Sequence, residues 1–189
     1  MQERYGEQLQ IERRAFPLRP GPQATTPFRG TRREATWQRI AAMVKPDGIN
    51  WKLWERDDYP NWSLPALEAA KCAALQSPEA YDDLHFRLFR GFFEEGVNIA
   101  KPEEVLALVR QAPLDFDRFV VDFESGVTRR AILDEYEEAV NTYMVYAIPT
   151  VIFNEAETIV GAVPIEEYEK VLDKLRCVII CSRNSYARP

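Results

Sequence analysis

Ala147-Ile148-Pro149-Thr150-Val151-Ile152-Phe153 is the stretch on which the reading of this chain turns. A β-branched and aromatic run that follows a proline directly reads as a strand starting at that proline. Asn154 to Glu157 then reads as a turn and Thr158-Ile159-Val160 as a second short strand, which together make a hairpin. Beyond it, Gly161-Ala162-Val163-Pro164 leads into a final helix in which Ile165, Tyr168, Leu172 and Leu175 are spaced for one buried stripe. Pro164 pre-sets the first turn of that helix, and the tail from Ser182 to Pro189 reads as frayed.

Upstream of the hairpin the apolar period is that of helices. Ser63-Leu64-Pro65 opens an Ala-rich helix running to about Gln76, and Ser77-Pro78-Glu79 opens the next, with a stripe of Tyr81, Leu84, Leu88, Phe89, Phe92 and Phe93 that stops near Gly96. Lys101-Pro102-Glu103-Glu104 starts a third helix. Asp115 can cap a short one with Phe116, Phe119, Val120 and Phe123, and Thr128 a longer one with Leu133, Tyr136, Val140 and Tyr143 on one face. Before this block, Leu9 to Phe16 alternates apolar and polar and ends at Pro17, the pattern of a short strand. Pro17 to Gly30 is aperiodic and reads as a surface loop, Thr31 to Val44 as a helix, and Lys45-Pro46-Asp47-Gly48 as a turn.

The composition suits a folded protein: 189 residues, 46% hydrophobic and 29% charged. A net charge of -6 gives no electrostatic reason to expect a nucleic-acid or anionic-membrane partner. No run approaches the roughly twenty apolar residues of a membrane span, and Met1-Gln2-Glu3-Arg4-Tyr5 lacks an apolar stretch behind a basic cluster, so cytoplasmic residence is expected. The cysteines Cys72, Cys177 and Cys181 are too few and too irregularly spaced for a disulfide framework, which agrees with a reducing compartment. With His85 as the one histidine and no tight ligand pair, neither a metal site nor a cofactor is expected.

The order of a strand, a long helical block, Ile148-Pro149-Thr150, two strands, Gly161-Ala162 and a helix resembles the DsbA family, in the branch that includes FrnE-like proteins and 2-hydroxychromene-2-carboxylate isomerases. The likeness covers most of the chain. It is carried by Ser63-Leu64-Pro65-Ala66-Leu67-Glu68-Ala69-Ala70, Leu88-Phe89-Arg90-Gly91-Phe92-Phe93, Asn98-Ile99, Glu104-Val105-Leu106, Ala147 to Phe153 and Val160-Gly161-Ala162-Val163-Pro164. The resemblance implies an α/β, thioredoxin-like fold over 1–189 as a single domain. A mostly helical insertion at 31–145 would precede the hairpin and final helix at 146–176. It further implies that Pro149 is cis, and that Ile148, Pro149 and Thr150 form an edge against which an extended peptide or thiol substrate binds. Taken without the resemblance, Pro149 would start an edge strand in the ordinary trans form.

One departure from the family matters most. Active members lead from a first strand into Cys-x-x-Cys at a helix start, where the helix dipole and nearby donors make the first thiol a nucleophile. No Cys-x-x-Cys is present, and the chain starts at what resembles the end of that helix, Glu3-Arg4-Tyr5-Gly6. By the resemblance the absent strand would lie between Leu9–Phe16 and the Thr150 hairpin. A partner chain, such as a second copy in a homodimer, could fill the gap; so could the Val178-Ile179-Ile180 run, or the sequence could be a piece of a longer protein. Weak or absent disulfide exchange follows, and no catalytic residue is assigned. A non-catalytic peptide-binding module and a glutathione-dependent isomerase-like protein stand as alternatives.

Other candidates read as structural. Cys177 and Cys181 on a helix would hold their Cβ atoms about 5 to 6 Å apart, too far for an unstrained disulfide. Cys72 lies mid-helix among alanines with no helix start to activate it. His85 falls on or beside the apolar stripe as a boundary residue, and the pairs Glu94-Glu95, Glu103-Glu104 and Glu137-Glu138 read as solvated charges. Arg29, Arg32 and Arg33, with Arg13, Arg14 and Arg19, could receive a phosphate or carboxylate, as the glutathione side of isomerase relatives does, but a solvated loop explains them more simply. Trp37, Trp51, Trp54 and Trp62 are expected in the core.

Overall fold

The computed structural model describes residues 2–184, with side chains from residue 4 to 176 apart from Asp47. The chain divides into two compact units: a helical unit, Ala15–Tyr136, and a hairpin unit built from Met1–Arg14 and Glu137–Pro189.

The helical unit is assembled from helices whose starts are written locally. Helix α1 is Arg32–Val44, α2 Leu64–Ala74, α3 Pro78–Arg90, α4 Pro102–Val109, α5 Phe116–Ser125 and α6 Arg129–Asn141. Ser77 caps α3, its Oγ accepting from the Ala80 amide at 3.0 Å, and Asp115 caps α5, accepting from the Arg118 amide at 3.1 Å. Such caps satisfy amide donors that the first turn leaves without intrahelical partners. The main core collects Leu84 and Leu88 of α3, Val105, Leu108 and Val109 of α4, and Phe119 of α5 around the small residues Ala69, Cys72 and Ala73 of α2. Small side chains on α2 let its neighbours approach closely.

Three hydroxyl residues at helix starts bond elsewhere. The Ser63 Oγ accepts from the Arg19 amide at 3.0 Å, pinning the preceding loop to the start of α2. The Thr31 hydroxyl donates to the Phe28 carbonyl at 2.7 Å, and the Thr128 hydroxyl donates to the Glu68 carbonyl at 3.4 Å and lies 3.7 Å from the Cys72 sulfur.

The expected stripe on α3 needs correction. Ala80, Leu84 and Leu88 are buried, but Phe89, one position round the helix from Leu88, is half exposed, and beyond it α3 runs on into a π turn over Gly91–Glu95. A wider turn shifts the helical phase, and Phe92 and Phe93 join a separate aromatic cluster with Phe28, Trp37, Trp54, Trp51 and Tyr59. Gly91 lets α4 approach there: a Cβ at this position would stand 2.7 Å from the Leu108 Cδ1, so the Leu108 side chain would have to shift. The stripe expected on α6 is also thinner, since Ile132 is its fully buried residue and Tyr143 lies exposed beyond the helix end. Trp37 and Trp54 are buried in the aromatic cluster, as expected for the core, while Trp51 and Trp62 are half-buried.

In the hairpin unit, strands β1 (Thr150–Phe153) and β2 (Glu157–Val160) pair antiparallel, Thr150 opposite Val160 and Phe153 opposite Glu157. Asn154 and Glu155 take the left-handed conformation (φ 47° and 59°), the twist a tight hairpin requires. Helix α7, Ile165–Asn184, follows. Its Asp173 accepts from the Tyr5 hydroxyl at 3.1 Å and its Glu169 pairs with Arg4 at 2.7 Å, tying down a short helical turn at Gln2–Tyr5.

Two expectations fail here. Leu9 to Phe16 forms no strand: among the described residues the one sheet is β1–β2. Alternation alone cannot make a strand without a neighbour to complete its ladder, and the Ala15 amide instead donates to the Glu135 carboxylate at 2.6 Å. Val178-Ile179-Ile180 continues α7 and so cannot occupy a strand position. The architecture is thus mixed α/β, with seven α-helices of eight residues or more, the short turn at Gln2–Tyr5 and a small two-stranded sheet among the described residues.

Candidate functional site

The edge of β1 concentrates the features expected of a substrate-binding lip. The Ile148–Pro149 peptide bond is cis. The Thr150 hydroxyl donates to the Ala147 carbonyl at 2.7 Å, and the Pro149 carbonyl accepts from the Gly161 amide at 2.7 Å, which extends the β1–β2 ladder by one bond. Because residues opposite each other in an antiparallel ladder alternate between bonded and non-bonded pairs, the main-chain groups of Thr150 and Ile152 face away from β2. Among the described residues no strand pairs with that outer edge. The segment that leads into β1 carries apolar side chains open to solvent: Met144, Tyr146 and Ile148 are 71%, 83% and 43% exposed.

The sulfur chemistry points the other way. Cys72 is fully buried in the last turn of α2, and burial pushes its thiol up to about 11, with Asp122 and Glu68 adding to the rise against the lowering effect of the Thr128 hydroxyl. A thiol in that state is protonated at neutral pH and unreachable. The side chains of Cys177 and Cys181 lie outside those described.

The remaining candidates are dispersed into packing. His85 stacks on Tyr81 at 5.5 Å and meets the Phe89 ring edge-on at 4.9 Å. Three of the arginines are spent on loop backbone and neighbours: Arg19 donates to the Pro60 carbonyl, Arg29 to the Glu55 carbonyl, and Arg33 bonds Thr26 while lying 4.5 Å over the Tyr59 ring. Among the described residues, no group of three His, Cys, Asp or Glu side chains is placed to hold a metal ion, and no helix is long and apolar enough to cross a membrane.

Two charge clusters escaped the sequence reading. Arg56 binds Asp58 at 2.6 Å and both oxygens of Glu104 at 2.6 and 2.7 Å; Glu104 also accepts from the Asn98 amide at 2.8 Å, and Lys101 reaches Asp58 at 2.6 Å. The Arg56 guanidinium holds the Asp58 carboxyl far below the usual range and lowers that of Glu104. Elsewhere Glu68, 3% exposed on α2, pairs with Arg129 of α6. Nothing in local spacing links these partners, which are 48 and 61 positions apart; the only hint is that Glu68 falls on the buried side of an Ala-rich helix.

A family model for the DSBA-like thioredoxin domain matches residues 1–173. The structure is similar to a crystal structure described as "a putative protein disulfide isomerase from Nitrosomonas europaea", with a TM-score of 0.66 and 17% sequence identity, over 82% of this chain and 78% of that one. At that identity the likeness concerns the fold. No curated protein matches the chain. Residues 1–173 supply the match and the hairpin, final helix and helical block supply the architecture: the chain belongs to the DSBA-like thioredoxin family, whose members are of the thiol-disulfide oxidoreductase kind.

Proposed function

We propose that residues 1–189 form a DsbA-type body that is weak or inactive in disulfide exchange. The observation that carries this is the state of Cys72: buried, in the last turn of a helix away from any helix start, and held protonated, in a sequence without Cys-x-x-Cys. Exchange needs a thiolate that can reach the attacked sulfur, and neither condition is met at this residue. In an insulin-reduction assay with dithiothreitol, the chain is expected to add nothing to the rate of the reductant alone; acceleration at a rate normal for the family would overturn the reading.

A second reading is supported by the outward main-chain groups of Thr150 and Ile152. An unpaired edge beside the exposed Ile148 suits the addition of an extended peptide as a further strand, with Ile148, Pro149 and Thr150 as its binding residues. Reduced and alkylated insulin B chain is a suitable probe. Ile148→Asp, at an exposed position, is expected to weaken its capture roughly tenfold, the scale of one good apolar contact at an interface. Unchanged affinity would remove this reading while leaving the first intact.

A further inference from the structure

The two outer edges of the small sheet in the hairpin unit differ. The Gly161 amide donates to the Pro149 carbonyl, and Thr150 stands opposite Val160. The alternation of an antiparallel ladder therefore turns the N–H and C=O groups of Thr150 and Ile152 outward on β1, and those of Thr158 and Val160 outward on β2. On the β2 side Glu157 opens the strand and pairs with Lys174 of α7. Charged side chains of this kind blunt an edge against pairing. Strand β1 reads Thr-Val-Ile-Phe, carries no charge, and follows an Ile148 that is 43% exposed.

The outer edge of β1 is complementary to a copy of itself. Two such strands related by a two-fold axis run antiparallel, with Thr150 of each facing Ile152 of the other and the two Val151 residues opposite each other on the axis. The outward groups then meet in four main-chain hydrogen bonds. Either neighbouring register that keeps these groups facing would match one of them to Ile148 or Asn154, both of which lie outside β1. A lone two-stranded sheet is marginal, and three or more strands are needed for independent stability. Among the described residues the chain has no further strand to offer, and the buried apolar residues of this unit are Tyr5 and Phe153. A second copy supplies two strands at once, giving the order β2-β1-β1-β2.

We propose that two copies of this chain pair through the outer edges of β1 into a two-fold dimer, and that the dimer closes this edge to peptides. The dimer rests on the outward edge invoked above for peptide capture, and it forms whether or not a peptide binds there. The β-branched side chains of Thr150, Val151 and Ile152 meet their counterparts across the new pair of strands, the kind of cross-strand contact that favours pairing. Four residues a side bury far less than the roughly 1,200 Å² of a stable interface, so the dimer is weak, with a Kd of roughly 100 µM. The edge is thus open in dilute solution and closed in concentrated solution.

Sedimentation velocity of the full chain between about 5 µM and about 1 mM, a range that brackets this Kd, is expected to show monomer passing into dimer. Amide hydrogen exchange locates the contact. The Thr150 and Ile152 amides are expected to slow about fivefold across that range, in step with the loss of monomer, while the Thr158 and Val160 amides on the other edge keep their rates. Val151→Lys sets two like charges face to face on the axis and is expected to weaken the dimer at least about tenfold, as is Val151→Glu. An equimolar mixture of the two variants is expected to regain the dimer, which also shows that both are folded. Capture of reduced and alkylated insulin B chain at about 1 µM chain, far below the dimer Kd, decides the peptide reading separately. An unaltered chain that stays monomeric up to about 1 mM overturns the dimer while leaving that reading intact. So does a dimer in which the Ile152 amide exchanges no more slowly than in the monomer.

Discussion

The two units are stabilised in different ways. The large side chains with essentially no exposure, among them Phe119, Leu84, Ile132, Val105 and Val109, all lie in Ala15–Tyr136; in the hairpin unit the buried apolar residues among those described are Tyr5 and Phe153. The helical unit therefore rests on contacts between distant helices, of which α2, α3, α4 and α5 are each placed by their own cap or proline. The hairpin unit rests on one short ladder and on half-exposed pairs such as Arg4 with Glu169. A two-stranded sheet is marginal by itself. The contrast teaches that an insertion can be the better-packed part of a fold whose name comes from the other part.

The comparison breaks most directly in the core. Leu84→Ala is expected to cost about 3 kcal/mol, from lost transfer energy and the cavity left behind. Urea unfolding followed by far-UV circular dichroism measures it, and a cost below that of Val160→Ala on the exposed side of β2, expected to be under about 0.5 kcal/mol, would invert the ranking of the units.

Paired charges sharpen it next. Arg129→Ala strands the buried Glu68 carboxylate and is expected to cost about 2 kcal/mol, less than for a fully buried pair because Arg129 is half exposed. Arg14→Ala in the hairpin unit removes the exposed pairs with Glu12 and Glu138 and is expected to cost about 0.3 kcal/mol. The same urea titration compares them; similar costs would mean that burial of Glu68 carries no weight.

Acid gives the smallest and most specific contrast. Asp58 and Glu104 titrate lower when folded than when unfolded, because Arg56 favours their charged forms. The unfolded chain therefore binds more protons, and stability rises with pH. Their contribution is complete above the unfolded carboxylate range near pH 4, and it is lost as pH falls below that range through the folded values. Arg56→Met is expected to flatten the fall in thermal midpoint between about pH 5 and pH 3, the window set by those same unfolded values. An unchanged slope would show that the cluster does not couple protonation to folding.

Local chemistry was legible wherever a residue acts on its own neighbours in sequence. Ser77 and Asp115 cap as their positions suggest, Gly96 ends the π turn in the left-handed conformation, and the Thr150 hairpin forms with its register set by a short turn. The candidate edge at Ile148, Pro149 and Thr150 was legible only through the resemblance, since the local pattern by itself reads as an ordinary trans proline starting a strand. What stayed hidden depended on partners far away in the chain. The alternation of Leu9 to Phe16 says only which faces a strand would present, and the missing neighbour decides that none forms.

The sequence by itself thus determined where helices start, where the hairpin turns and that no Cys-x-x-Cys is carried, because each depends on side chains a few positions apart. Only the tertiary structure decided that Ser63 and Thr128 would bond other segments instead of capping, that α3 would widen at Gly91 and send Phe92 and Phe93 into a second cluster, and that Glu68 would find Arg129. A hydroxyl or carboxylate near a helix start has several partners of similar energy, and packing of distant segments selects among them.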